Sequence, residues 1–218
     1  MEVAAVRVAV LASGRGSNFD ALCRAASDPG SPARIAVLFS DRPGAAVLEK
    51  AHAFGIPTHL IEPGTPRGPW LPEGVRSFLD ALETYRVEAI CLAGFLRVVP
   101  VEVLKAVRMR VLNIHPSLLP SFPGLHAPRQ ALRAGVKITG CTVHLVDEGV
   151  DTGPIVMQAA VKVQDDDTEE TLAERILVEE HRIYPQALRL LAEGRLQVSG
   201  RTVRILPADA GAVIPGGS

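Results

Sequence analysis

At 218 residues, with 47% hydrophobic and 22% charged side chains, the chain has the balance of a packed globular core and not of a disordered segment. Its 23 basic and 24 acidic residues give a formal net charge of −1, which leaves no field to draw it onto nucleic acid or an anionic membrane. Cys23, Cys91 and Cys141 lack metal-ligand spacing and read as reduced core thiols, and no signal-peptide layout or transmembrane-length apolar run is present, so the expected address is the cytoplasm.

Short apolar runs alternate with segments of helical period, the pattern of βαβ units. The expected fold class is α/β, Rossmann-like, with a mostly parallel central sheet and helices on both faces. Val6 to Leu11 reads as a first strand, followed by the turn Ser13-Gly14-Arg15-Gly16 and a helix beginning near Ser17 or Asn18, both good N-caps. Further strands are expected over Arg34–Phe39, Thr58–Ile61, Val87–Ala93, Val111–Ile114, Ile138–Val146 and Ile155–Val163, and helices over Ala45–Phe54, Val75–Tyr85 and Pro128–Ala134. Pro63, Pro66, Pro69 and Pro72, with their glycines, mark Pro63–Glu73 as a surface loop. From Thr168 to about Glu193 an amphipathic helix is expected, kinked or broken at Pro185. The expected organisation is one domain over residues 1–207, with an N-terminal lobe to about residue 110, a C-terminal lobe from about 111, and a flexible tail over 208–218.

Gly14, Arg15, Gly16, Ser17 and Asn18 sit where a strand hands over to a helix, where backbone N–H groups and the positive helix end suit a phosphate. Phe19 stands where a dinucleotide fingerprint needs its third Gly, and the Lys of a P-loop is lacking, so a monophosphate fits better than NAD or ATP. A tight turn with no ligand is the alternative. At period two, Asn113 and His115 share a face at the end of a strand, a pairing suited to an oxyanion or a proton shuttle. The alternative is a histidine that only satisfies loop carbonyls. Asp147, Glu148 and Asp151 lie in a loop shaped by Gly149, Gly153 and Pro154; one carboxylate meeting His115 would orient it, or all three are solvated turn residues. His144 reads as a supporting core residue, and no histidine pair has metal-ligand spacing, so no metal is expected.

With Asn113-Ile114-His115-Pro116-Ser117-Leu118-Leu119-Pro120 and Leu145 to Pro154 in view, the chain resembles the phosphoribosylglycinamide formyltransferases, folate-dependent members of the formyltransferase superfamily acting in purine synthesis. The match runs from Val6 to about Leu196 and includes Leu92-Ala93-Gly94-Phe95-Leu96-Arg97, Pro123 to His126, Gly140 to His144 and Glu180-His181-Arg182-Ile183-Tyr184-Pro185. The resemblance implies transfer of a formyl group from 10-formyltetrahydrofolate to the amine of glycinamide ribonucleotide. It implies Asn113, His115 and Asp151 as the catalytic group, Gly14 to Asn18 for the substrate phosphate, and a substrate contact from Glu180. Leu96, Arg97, Val98, Val99 and the loop Val146, Asp147, Glu148, Gly149, Val150 would bind the folate, with His144 and His126 supporting. Where the family carries a basic residue ahead of its third helix, Arg67 and Arg76 are the candidates here. The same catalytic group also serves formyltetrahydrofolate hydrolases and formyltransferases with other amine acceptors, and a phosphate-ligand sensor without turnover is the non-enzymatic alternative. The expected state is a monomer or homodimer, without nucleic-acid or membrane partners.

Overall fold

The computed structural model describes residues 4–64 and 68–208. Among these residues, nine strands and six helices follow one another along the chain, which clusters into two compact units divided between Leu112 and Asn113. The expected tail from residue 209 onward and Arg67 lie outside the described residues.

The first unit holds β1 (Val6–Leu11), α1 (Ser17–Ala26), β2 (Ala33–Ser40), α2 (Val47–Ala53), β3 (Thr58–Leu60), α3 (Pro72–Thr84), β4 (Ala89–Leu92) and α4 (Val101–Ala106). Its strands lie in the order β3-β2-β1-β4, and every pair among them is parallel. Val8 to Leu11 and Ala89 to Cys91 are fully buried, which is why both strands read as continuous apolar runs without alternation. Phe39 packs edge-on against Phe78 at 4.7 Å, joining β2 to α3.

Parallel strands deliver their C-terminal loops to one edge, and here three of those loops are tied together. Ser13 Oγ donates to Asp41 Oδ1 at 2.7 Å, and Arg97 Nε donates to Asp41 Oδ2 at 2.9 Å. The Asp41 and Arg97 side chains are each only 9% exposed, so this is a buried ion pair, and either charge left alone there would cost about 3–5 kcal/mol.

The segment leading into α3 departs from the sequence expectation. Helix α3 starts at Pro72, where proline's missing N–H costs nothing in a first turn, three residues ahead of the expected start. The loop before it is partly packed: Trp70 lies on Phe78 and Phe95, and its Nε1 donates to the Val98 carbonyl at 3.0 Å.

The second unit opens with the last three residues of β5 (Val111–His115) and continues through α5 (Ala127–Ala134), β6 (Ile138–Leu145), β7 (Ile155–Lys162), α6 (Glu169–Ala192), β8 (Leu196–Ser199) and β9 (Thr202–Ile205). Its strands run β5-β6-β7-β9-β8; β6–β7 and β8–β9 are antiparallel, while β7–β9 is parallel. Thus the parallel pairing of the first unit gives way to hairpin geometry in the second.

Helix α6 packs on β6 and β7 and begins in a capping box between Thr168 and Thr171. Pro185 does not end it: 24 residues form one helix. An internal proline costs about 3 kcal/mol, whereas each large apolar side chain buried returns about 1.5–3 kcal/mol. Leu172, Ile176, Ile183, Tyr184, Leu188, Leu190 and Leu191 are all buried along this helix, so burial outweighs the proline. Among the described residues, no helix is long and apolar enough to cross a membrane.

Candidate active site

β5 ends in Asn113 and His115, and both side chains meet the same carboxylate. Asn113 Nδ2 lies 3.4 Å from Asp151 Oδ1, and His115 Nδ1 lies 3.4 Å from Asp151 Oδ2. The three residues singled out from the sequence are therefore brought together, with His115 5% exposed and the Asp151 side chain 10% exposed.

A fourth member completes the cluster. His144, expected as a core support on β6, places Nε2 3.1 Å from Asn113 Nδ2 and 3.6 Å from Asp151 Oδ1. Its Nδ1 lies 2.8 Å from the Leu145 carbonyl, which can only accept, so Nδ1 carries the proton. In the neutral ring Nε2 is then an acceptor, and it fixes the Asn113 amide with Nδ2 inward. Of the two Asn113 hydrogens, the one toward Asp151 is held loosely, at 3.4 Å. His115 Nε2 lies 2.8 Å from the Phe122 carbonyl and donates to it. Both ring nitrogens of His115 therefore face acceptors.

Asp151 sits at φ 55, in the left-handed region that Asp tolerates better than most residues. The loop before it is braced internally, since Asp147 Oδ1 accepts from Gly149 N at 3.1 Å and from Thr152 Oγ1 at 2.7 Å. A Cβ on Gly153 would stand 1.8 Å from the Leu145 carbonyl oxygen, so only glycine passes there. Of the three candidate acids, Asp151 alone meets His115; Asp147 holds the loop and Glu148 is exposed.

Burial pushes the Asp151 carboxyl up, but His144, the Gly124 N–H at 2.8 Å and the charge of His115 outweigh it and hold the group below the usual carboxylate range. A depressed carboxylate stabilises the fold above its unfolded pKa of about 4 and loses that contribution as pH falls through the folded value. Denaturant unfolding at pH 7 and pH 3 is expected to show a smaller loss of stability on acidification for Asp151→Asn than for the parent chain; equal losses would contradict the assignment.

In the first unit, the turn after β1 places Gly16, not Ser17 or Asn18, at the N-cap of α1. Gly16 has φ 72, and a Cβ there would lie 2.4 Å from Val47 Cγ2, so the position demands glycine, and the helix begins at Ser17 as expected. Gly14 and Arg15 are exposed, Ser17 half-buried and Asn18 buried. Of the folate candidates, Leu96 and Val98 are 59% and 57% exposed, open apolar side chains that suit a planar ring, while Val99 is buried. The Arg97 side chain is committed to Asp41, which leaves its backbone as the part able to read a ligand. Val146 is half-buried and Val150 exposed in the second unit's loop.

Glu180 is buried on α6, and its charge helps push the Cys141 thiol, raised first by burial, up to about 12. Such a thiol is not a nucleophile at neutral pH. His126 is not part of the cluster: it lies at φ 57 at the start of α5, 60% exposed, 3.4 Å from Glu169 Oε1. Arg76 is exposed on α3. Among the described residues, no group of three or more His, Cys, Asp and Glu side chains could hold a metal.

The family model described as Formyl transferase matches residues 6–188. The chain is 44% identical over 185 residues to a phosphoribosylglycinamide formyltransferase of Bacillus subtilis (strain 168), covering 85% of this chain and 94% of that protein. It is 48% identical over 207 residues to a trifunctional purine biosynthetic protein adenosine-3 of Drosophila pseudoobscura pseudoobscura, covering 93% of this chain but spanning only 15% of that longer protein. A crystal structure of glycinamide ribonucleotide transformylase 1 from Symbiobacterium toebii aligns with a TM-score of 0.87 at 49% identity, covering 93% of this chain and 95% of that one.

Proposed function

Because the chain belongs to the formyl transferase family, we propose that it transfers the formyl group of 10-formyltetrahydrofolate to the amine of glycinamide ribonucleotide, giving formylglycinamide ribonucleotide and tetrahydrofolate. The observation that carries this is the buried cluster in which Asp151 meets Asn113, His115 and His144 at once.

The amine attacks the formyl carbon, and negative charge grows on the formyl oxygen. Asn113 and His115 are the donors toward that oxygen. The loosely held Asn113 hydrogen and the His115 N–H shared with Phe122 both gain by turning to a full negative charge, so these bonds strengthen in the transition state and not before it. Asp151 holds His115 in orientation and balances its charge, and passes the amine proton toward the departing N10 through water. His144 keeps the Asn113 amide facing the correct way. No acyl-enzyme forms.

Gly14 to Asn18 receive the substrate phosphate and Glu180 contacts the ribonucleotide. The backbone of Leu96 to Val99 and of Val146 to Val150 reads the pteridine edge, His126 lends support, and Arg67 and Arg76 are the candidates for the family's basic substrate-binding residue. On this account the enzyme works in the cytoplasm as a monomer or homodimer, without metal, nucleic acid or membrane.

Formyl transfer measured side by side with glycinamide ribonucleotide, initiator tRNA and water as acceptors tests this. The ribonucleotide is expected to be favoured by orders of magnitude; a faster reaction with tRNA or water would overturn the choice of acceptor.

A further inference from the structure

The segment Pro116–Leu125 is neither strand nor helix, yet it carries the two backbone groups that grip the reaction centre: the Phe122 carbonyl on His115 Nε2 and the Gly124 N–H on Asp151 Oδ2. Phe122 itself sits at φ 56, a left-handed conformation that an aromatic residue keeps only when its surroundings enforce it. Backbone bonds of the segment, Ser117 N to His115 O and Ser121 N to Leu118 O, are local and do not tie it to β6 or β7.

Side chains do. The Thr142 hydroxyl, fully buried on β6, donates to the Ser117 carbonyl at 2.6 Å and accepts from Leu119 N at 3.0 Å and from Gln158 Nε2 at 2.9 Å. One hydrogen and two lone pairs are thus all used. Gln158, on β7, donates its second amide hydrogen to the Leu119 carbonyl at 3.0 Å. Ser117 Oγ, also fully buried, carries the restraint onward to the Ser121 carbonyl, one residue before Phe122.

We propose that Thr142 and Gln158 are positioning residues for formyl transfer, a two-stranded clamp that sets the Phe122 carbonyl against His115 and thereby the orientation of the imidazole. This rests on the formyl-transfer reading of the site, but it has a readout that does not. Displacement of a reacting group by about 1 Å can cost about 100-fold in rate. Thr142→Val, of equal shape, is therefore expected to lower kcat about 10- to 100-fold with KM for both substrates within twofold, and Thr142→Ser to restore kcat to within threefold of the parent. Gln158→Met, at an exposed position that does not threaten folding, is expected to lower kcat about threefold to tenfold. In all three proteins the His115 Nε2–H resonance, followed by 15N-edited NMR, reports the Phe122 bond; it is expected to shift or exchange away in Thr142→Val and Gln158→Met and to persist in Thr142→Ser.

An unchanged resonance in Thr142→Val, or a loss of kcat that Thr142→Ser does not rescue, would overturn the proposal. So would a loss confined to KM. If the parent chain transfers no formyl group, the functional reading fails, and the resonance alone decides the clamp.

Discussion

Replacing Asp151 with Asn is expected to lower kcat for formyl transfer by about 10³-fold or more, with KM for both substrates within a few-fold. The substitution keeps size and removes charge, and the geometry says why that matters. Asp151 Oδ2 accepts from Gly124 N and faces His115 Nδ1, while Oδ1 faces Asn113 Nδ2 and His144 Nε2. Asn113 Nδ2 faces Oδ1 and Gly124 N faces Oδ2, so an amide nitrogen placed on either side meets a donor with a donor. His115 loses the counter-charge that fixes its ring, and the amine proton loses its route to the leaving nitrogen. Steady-state kinetics with both substrates varied checks this; a loss below tenfold, or one carried by KM, would mean that Asp151 is only a loop residue.

His115→Asn is expected to cost about 10²- to 10³-fold in turnover while nucleotide binding persists, because the proposed mechanism loses one donor toward the developing oxyanion and keeps its proposed phosphate contacts. Calorimetric titration with the ribonucleotide beside a turnover assay separates the two effects. A phosphate sensor built on the same fold predicts that the parent binds ligand and never turns over, so that the substitution changes nothing in the assay.

How much of this could be read in the sequence follows from what each element rests on. β1 reads plainly because Val6–Leu11 is a β-branched run closed by a Gly turn, and its observed bounds agree with the expected ones. α4, six residues behind Pro100, and β8 and β9, four residues each, carry too little periodicity to stand out; in β8 only Leu196 is buried. Pro185 suggests a break to any local rule, and the helix persists because its buried face lies in residues many positions away.

The site shows the same division. Asn113 and His115 are two residues apart on one strand, so their common face is visible in the sequence, whereas Asp151 is separated from them by two further elements and only its Gly-rich loop hints at a role. The sequence marks His144 as a supporting residue without showing what it supports. It lies in an apolar strand, where burial and catalysis leave the same pattern, and nothing in the spacing shows that its Nε2 reaches Asn113, 31 positions earlier. Thr142 and Gln158 are harder still, since a hydroxyl and an amide on adjacent strands become a clamp only through the β6–β7 register, in which they face each other. α1 begins at Ser17 as the sequence suggests, but its cap is Gly16, and no local signal shows that Val47, 31 residues onward, leaves no room there for a Cβ.

A formyl-labelled 10-formyltetrahydrofolate mixed with the purified protein, with and without glycinamide ribonucleotide, tests the central claim most directly. Label is expected on the ribonucleotide amine only when the acceptor is present, with none on the protein and little as formate; formate released equally fast with and without the ribonucleotide, or label held on the chain, would contradict direct transfer at the Asn113, His115, His144 and Asp151 cluster.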